Sequence, residues 1–177
     1  MYADLHLHTL YSDGTYTPEE LVDYGCARGL GVMALTDHDT VDGCTLMSAA
    51  CDKQGIEFIP GCEFTVELDG FELHLLGYFL DLKYERLNEQ LKKYQSVRHD
   101  RIYQMVFKLN ELGIEIDGDE VLNIANCNSP GRPHIARVLV EKGNCKSLDE
   151  AFQKFLKKGR PAWVPKDKMT AQEAINL

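Results

Sequence analysis

The stretch Tyr2-Ala3-Asp4-Leu5-His6-Leu7-His8-Thr9-Leu10-Tyr11-Ser12-Asp13-Gly14-Thr15 reads as a short strand that runs into a polar turn. Side chains alternate faces along a strand, so His6 and His8 share one face while Leu5 and Leu7 turn to the other, into packing. Two imidazoles on one face, with Asp13 in the turn beyond them, can converge on one cation. Imidazole nitrogen and carboxylate oxygen together suit zinc, manganese or iron, and the absence of nearby thiols argues against a closed structural zinc site. Taken alone, the His-x-His pattern also fits two ordinary, partly buried histidines that each find a hydrogen bond.

The residues that follow repeat the theme. Thr17-Pro18-Glu19-Glu20 combines an N-cap, a proline at the first helical position and a glutamate at the third, which starts a helix that should run to about Arg28 and stop at Gly29. Gly31 to Thr36 is a continuous apolar run, expected of a strand covered on both faces, and it ends in Asp37-His38-Asp39. A second helix is expected from Val41 to Lys53, stopping near Gly55, and a third strand from Ile56 to Glu63. Phe64 to Leu68, the turn Asp69-Gly70, and Phe71 to Phe79 form a hairpin, because Asp-Gly supplies the positive φ angles of a tight turn. His74 lies in its returning arm among Leu73, Leu75 and Leu76, where a lone histidine also reads as a satisfied core residue.

Strand, helix, strand, helix, strand describes an α/β protein. In parallel α/β architectures functional residues gather at the carboxyl ends of the strands, so His6, His8, Asp13, His38 and Glu63 should share one rim. That many convergent nitrogen and oxygen donors exceed what one ion needs. Two or three divalent ions are the sharper expectation.

The chain has 177 residues, 44% hydrophobic and 27% charged, with a net charge of −9. The charge is uneven: residues 1–85 carry 16 acidic and 3 basic residues, and 86–177 carry 12 acidic and 16 basic. An acidic half that can hold cations thus adjoins a basic half that can hold anions, although many of those lysines suit a solvated helical face. Strong binding to duplex nucleic acid is not expected of so acidic a chain. No run is long enough to cross a membrane, and the first residues lack the basic and then apolar start of a signal peptide, so a cytoplasmic location is expected. The six cysteines form no C-x-x-C pair and read as reduced packing residues.

From Tyr84 the pattern becomes helical. Apolar residues at Ile102, Met105, Val106, Leu109 and Leu112 make a helical stripe over 85–112, ended by Gly113, and they place Arg98 and Arg101 on one face. A shorter helix is expected over 119–125. Ser129-Pro130-Gly131-Arg132-Pro133-His134 then breaks the pattern and opens a helix through Glu141. Ser147-x-x-Glu150 is a capping box for a helix through Lys158. Arg132 and His134 sit at a first helical turn, where unpaired N–H groups favour an anion, so they are candidates for a phosphate grip. Arg132 as a plain surface residue after a proline turn fits the spacing equally well. A last capping box, Thr170-x-x-Glu173, opens a helix close to Leu177. Closing a barrel of this kind takes roughly 250 residues, so the chain reads as the N-terminal part of one.

Four ordered motifs carry a family resemblance: D-L-H-x-H-T-x-x-S-D-G (Asp4 to Gly14), T-D-H-D-T (Thr36 to Thr40), P-G-x-E (Pro60 to Glu63) and E-x-H-L-L-G-Y (Glu72 to Tyr78). Together they resemble the PHP (polymerase and histidinol phosphatase) superfamily, closest to its TrpH/YciV-like metal-dependent phosphoesterase branch. The resemblance implies a distorted (β/α)7 barrel with a helical insertion, divided here as 1–82 for the N-terminal part of the barrel, 83–165 for the insertion and 166–177 for a return to the barrel. It implies two or three divalent ions, manganese, zinc or iron, on His6, His8, Asp13, His38, Glu63 and His74. Arg98, Arg132 and His134, with Arg101 as a further candidate, would hold substrate phosphate, and His134 could protonate a leaving group. The family's later Ala-His-Pro and Asp-x-His motifs have no counterpart in these 177 residues.

The implied activity is hydrolysis of nucleotide phosphate esters by a metal-activated hydroxide. The substrate would be a nucleoside 3′,5′-bisphosphate or a short RNA trimmed from its 5′ end. Two other classes fit the same residues: a metal-dependent amidohydrolase, and a noncatalytic metal-binding module or scaffold that lacks the later ligands.

Overall fold

The computed structural model describes residues 2–177. They group into two compact units, one reaching to Tyr94 and including Lys168–Leu177, the other comprising Gln95–Asp167.

The first unit is an α/β half-barrel. Strands β1 (Tyr2–Leu7), β2 (Leu30–Leu35), β3 (Glu57–Leu68) and β4 (Phe71–Tyr78) lie side by side in that order. β1, β2 and β3 run parallel, and β4 returns antiparallel through Asp69 and Gly70, whose φ angles of 52° and 81° make the tight turn expected of Asp-Gly. The Tyr78 hydroxyl donates to the Leu5 carbonyl at 2.8 Å, so the end of β4 reaches back to β1 and the sheet curls.

Helices α1 (Pro18–Ala27) and α2 (Cys44–Gln54) cover one face. The Thr17 and Glu20 capping box forms as its sequence predicts. A cap contributes about 1 kcal/mol and a helix this short is marginal alone, so the burial of Leu21 and Val22, about 1.5–3 kcal/mol each, is the larger stabilising effect. α2 begins at Cys44 rather than Val41, because Thr40 Oγ1 accepts from Asp42 N–H and Val41 carbonyl from Cys44 N–H, closing a turn first. Leu5 is exposed, not packed: the register between β1 and β2 shifts between Asp4 and Leu7, which interrupts the strict alternation, and only Leu7 reaches the core.

The expected break between Glu63 and Phe64 does not occur. β3 continues for 12 residues, and its edge is handed from one neighbour to the next. β2 pairs with it as far as Pro60, His38 bridges to Glu63, Asp39 Oδ1 accepts from Thr65 N–H at 2.8 Å, and β5 (Met169–Thr170) pairs at Val66 and Glu67. Behind it, Cys62, Phe64, Val66 and Met169 pack with Leu87, Leu91 and Tyr94 from the first turns of α3 (Glu85–Glu111). That packing ties the start of α3 to the sheet. The later capping box at Thr170 opens α7 (Ala171–Ile175) in the same unit.

The second unit is all helix. The rest of α3 joins α4 (Gly118–Ala125), α5 (Arg132–Glu141) and α6 (Leu148–Ala151) around Ile102, Met105, Leu109, Ile135, Leu139 and Leu156. The helix expected to reach Lys158 instead becomes a π-helical turn at Phe152–Leu156, and Lys157 is already extended. Its capping box forms by half. Ser147 accepts from Glu150 N–H, whereas the Glu150 carboxylate takes Lys146 N–H. Four cysteines are buried as expected, but Cys26 is exposed and Cys127 half-buried; all six are free thiols.

Candidate metal centre

Glu63 lies in the middle of β3, its side chain only 4% exposed, and imidazoles surround it. His6 Nε2 and His8 Nε2 each stand 2.9 Å from Oε2, His74 Nδ1 lies 2.5 Å from Oε1, and His38 Nδ1 is 3.6 Å from Oε2. The fold explains each approach. β1 delivers His6 and His8, the end of β2 delivers His38, and β4 places His74 opposite Thr65, diagonal to Glu63 on the same face.

Asp13 closes the ring from the other side, with Oδ1 3.6 Å from His8 Nδ1 and Oδ2 3.7 Å from His38 Nε2. Its turn is tight, since Ser12 and Gly14 N–H groups both donate to the Thr9 carbonyl. A Cβ at Gly14 would fall 2.5 Å from the His8 carbonyl oxygen, so only glycine lets this turn lie against His8. Three overlapping triads result: His6, His8 and Glu63; His8, Asp13 and His38; His38, Glu63 and His74. In each, the donor atoms lie within 4.8 Å of one another.

The electrostatics follow from this crowding. Burial pushes the Glu63 carboxyl up, but hydrogen bonds from His74, His8 and His6 and the charge of His38 outweigh it and hold the group well below the usual carboxylate range. For His8, burial works downward and is overcome by the Glu63 hydrogen bond and by the charges of Asp13, Glu63 and Asp37, so its pKa is raised. Neighbouring ring centroids are 5.2 Å apart for His6 and His8, 4.8 Å for His8 and His38, and 4.9 Å for His38 and His74. Four imidazolium rings so close would repel. Neutral rings and two carboxylates around a shared cation avoid that repulsion, and an all-nitrogen and oxygen donor set suits zinc, manganese or iron.

All six residues singled out as ligands from the sequence thus meet in one cluster. Residues given no role from the sequence stand directly behind them. Asp37, buried just past β2, accepts from Thr9 N–H, from the Thr9 hydroxyl and from the Ser12 hydroxyl. Burial raises its pKa against those hydrogen bonds. The signal was present in T-D-H-D-T, an acid immediately before a strand-end histidine.

In the helical unit, Arg98 is buried and its Nη1 donates to the Pro130 carbonyl at 3.4 Å, beside the segment that opens α5. His134 Nδ1 accepts from Gly131 N–H at 3.0 Å, so this nearly fully buried ring is neutral and carries its proton on Nε2. The Arg132 guanidinium lies over the Phe152 ring, 5.8 Å from its centre. Arg101 Nε donates to the Val164 carbonyl at 2.9 Å, which ties α3 to the segment after the π-helical turn.

Known proteins match this chain over nearly all its length. A family model for the PHP domain matches residues 4–158. A 3′,5′-nucleoside bisphosphate phosphatase of Chromobacterium violaceum is 34% identical over 97% of the chain and 61% of its own length. The 5′-3′ exoribonuclease Rnm of Salmonella typhimurium is 31% identical over 98% of the chain and 60% of its own length. A solved structure from Bifidobacterium adolescentis, described as a metal-dependent phosphoesterase, superimposes with a TM-score of 0.92 at 29% identity, covering 98% of this chain and 61% of that one. The chain therefore spans about three fifths of the length of the relatives it matches.

Proposed function

Because the chain belongs to the PHP family, we propose that it supplies the metal centre of a phosphoesterase that hydrolyses a nucleotide phosphate ester, either a nucleoside 3′,5′-bisphosphate or the 5′ end of a short RNA. The observation that carries this reading is Glu63, a buried carboxylate faced by four imidazoles. We assign His6, His8, Asp13, His38, Glu63 and His74 as ligands to two or three divalent ions, manganese, zinc or iron. Glu63 turns Oε2 toward His6 and His8 and Oε1 toward His74, so its two oxygens can serve two triads, which supports more than one ion. Bound there, such ions supply Lewis acidity and acidify water toward neutrality.

The chain's own groups do the rest. Glu63 stays ionised across the physiological range, so its carboxylate can neutralise cation charge without first losing a proton. Arg98, Arg132 and His134 are assigned to the substrate's non-reacting phosphate, with Arg101 as a support. A guanidinium fork suits paired phosphate oxygens, and holding one phosphate turns binding energy into orientation of the other. His134, with its proton on Nε2, is a donor, to a phosphate oxygen or to a departing hydroxylate. The free thiols support a reducing compartment, and we place the protein in the cytoplasm on that ground. No helix among the described residues is long and apolar enough to cross a membrane.

The test is calorimetric titration of manganese and zinc into the metal-free chain, coupled to phosphate release from adenosine 3′,5′-bisphosphate and to shortening of a 5′-phosphorylated RNA. Uptake of two or more ions that is lost in His8→Ala supports the reading. Failure to take up either metal overturns it, and the two substrates decide between the phosphatase and the exonuclease.

A further inference from the structure

Behind His8 lies a chain of hydrogen bonds that the assigned ligands do not use. Asp37, 1% exposed, accepts three of them: from Thr9 N–H at 2.7 Å, from the Thr9 hydroxyl at 2.5 Å and from the Ser12 hydroxyl at 2.6 Å. Ser12 is fully buried and its oxygen also lies 3.3 Å from His8 Nδ1. A serine hydroxyl has a single proton. With that proton directed to Asp37, Ser12 Oγ can meet His8 Nδ1 only as an acceptor, so Nδ1 must be the nitrogen that carries hydrogen. Asp13 Oδ1, at 3.6 Å from Nδ1, is beyond hydrogen-bond range, which leaves Ser12 as the acceptor. The other nitrogen, Nε2, faces Glu63 Oε2 at 2.9 Å, where it donates to the carboxylate when no ion is bound and would give up that proton to coordinate one, while Nδ1 keeps its own.

We propose that Ser12 and Asp37 are positioning residues that hold His8 in its Nδ1-protonated tautomer and so aim the Nε2 lone pair at the divalent ion, an assignment that rests on the metal reading above. The logic is that of a ligating histidine whose second nitrogen is tied down by an acceptor. Here the acceptor is a hydroxyl made receptive by a buried carboxylate. Thr9, which gives Asp37 two donors, keeps that carboxylate turned toward Ser12. The same Asp37 contributes its backbone carbonyl to Glu63 N–H at 3.2 Å, so one residue braces both His8 and Glu63.

The experiment uses the chain labelled with nitrogen-15 histidine, read by long-range proton–nitrogen spectra with and without zinc, and zinc affinity measured by calorimetry. Expected are a zinc-coordinated Nε2 and a protonated, slowly exchanging Nδ1 on His8. Ser12→Ala is expected to weaken zinc binding by about 10–100-fold and to abolish the slow exchange. Coordination through Nδ1 in the unmodified chain overturns the assignment. So do an affinity and His8 nitrogen shifts in Ser12→Ala that equal those of the unmodified chain. Should the unmodified chain take up no zinc, the metal reading fails separately, and the metal-free spectra decide: a protected Nδ1–H present before and absent after Ser12→Ala supports the tautomer, and its absence in both overturns it.

Discussion

Glu63 concentrates the chemistry of this protein in one carboxyl group. Its pKa is depressed because four rings face it, and that depression has a consequence that can be measured without any metal. In the unfolded chain the glutamate titrates near 4.5 and the histidine near 6.5. Glu63 therefore contributes stability that is full above 4.5 and lost only as pH falls through its lower value in the fold. His8, with a raised pKa, contributes stability that is full below 6.5 and lost as pH rises through its higher value. The melting temperature in EDTA is expected to be highest between 4.5 and 6.5 and to decline as pH rises through the raised His8 value. Melts across that range check it, and a steady rise would contradict the ion pairing. Zinc should reverse the trend, because imidazoles must shed protons to bind it.

Substitution at the same carboxylate is more drastic. Glu63→Gln keeps the shape but leaves the rings without their anion, so uptake of manganese or zinc should fall by at least about 100-fold and turnover with it, read by calorimetry and phosphate release. Arg132→Ala should lower kcat/KM several-fold, chiefly by raising KM and to a lesser extent by lowering kcat, since the grip both binds the non-reacting phosphate and orients the other. Equal KM values for the two proteins would remove Arg132 from the phosphate site.

The elements matter because they bring these residues within reach of each other. β3 is the organising strand, and Gly61 is where it must pass close to both neighbours: a Cβ there would stand 2.8 Å from the Gly77 carbonyl oxygen and 2.9 Å from that of Leu35. Backbone atoms cannot swing aside as a side chain can. Gly61→Ala is expected to cost about 1–3 kcal/mol of stability and to weaken metal binding, because Glu63 lies two residues further along. Urea denaturation and calorimetry check both effects. Most elements around it were legible beforehand. The capping box at Thr17, the Asp-Gly hairpin and the glycine stops at Gly29 and Gly55 act within a few residues, so local sequence specifies them. The continuation of β3 past Glu63 was not legible, because its edge is completed by Asp39 and by β5, both remote in sequence. The capping box at Ser147 was legible only by half, because the Glu150 carboxylate takes the N–H of Lys146 instead of that of Ser147.

Across the whole chain, two sets of cores do separate work. The helical unit closes around Leu139, fully buried with Ile135, Met105 and Leu109, and none of the proposed metal ligands lies in that unit. Leu139→Ala should therefore destabilise it by about 2–5 kcal/mol while zinc affinity of the folded chain stays within about two-fold, which urea melts and calorimetry can separate. A parallel loss of zinc binding would show that the two units are coupled.

Residue types, their spacing and their punctuation were enough to name an α/β chain and five of the donors that meet, His6, His8, Asp13, His38 and Glu63, while His74 was reached only through the family resemblance; ligand chemistry and turn chemistry are local properties. Position in space was another matter. That His6, His8 and His38 join His74 around one carboxylate, that Asp39 finishes an edge begun by β2, and that Asp37 stands behind His8 through Ser12 all depend on contacts between segments 25 or more residues apart. No local pattern encodes such contacts; they exist once β1, β2, β3 and β4 are laid side by side and curled.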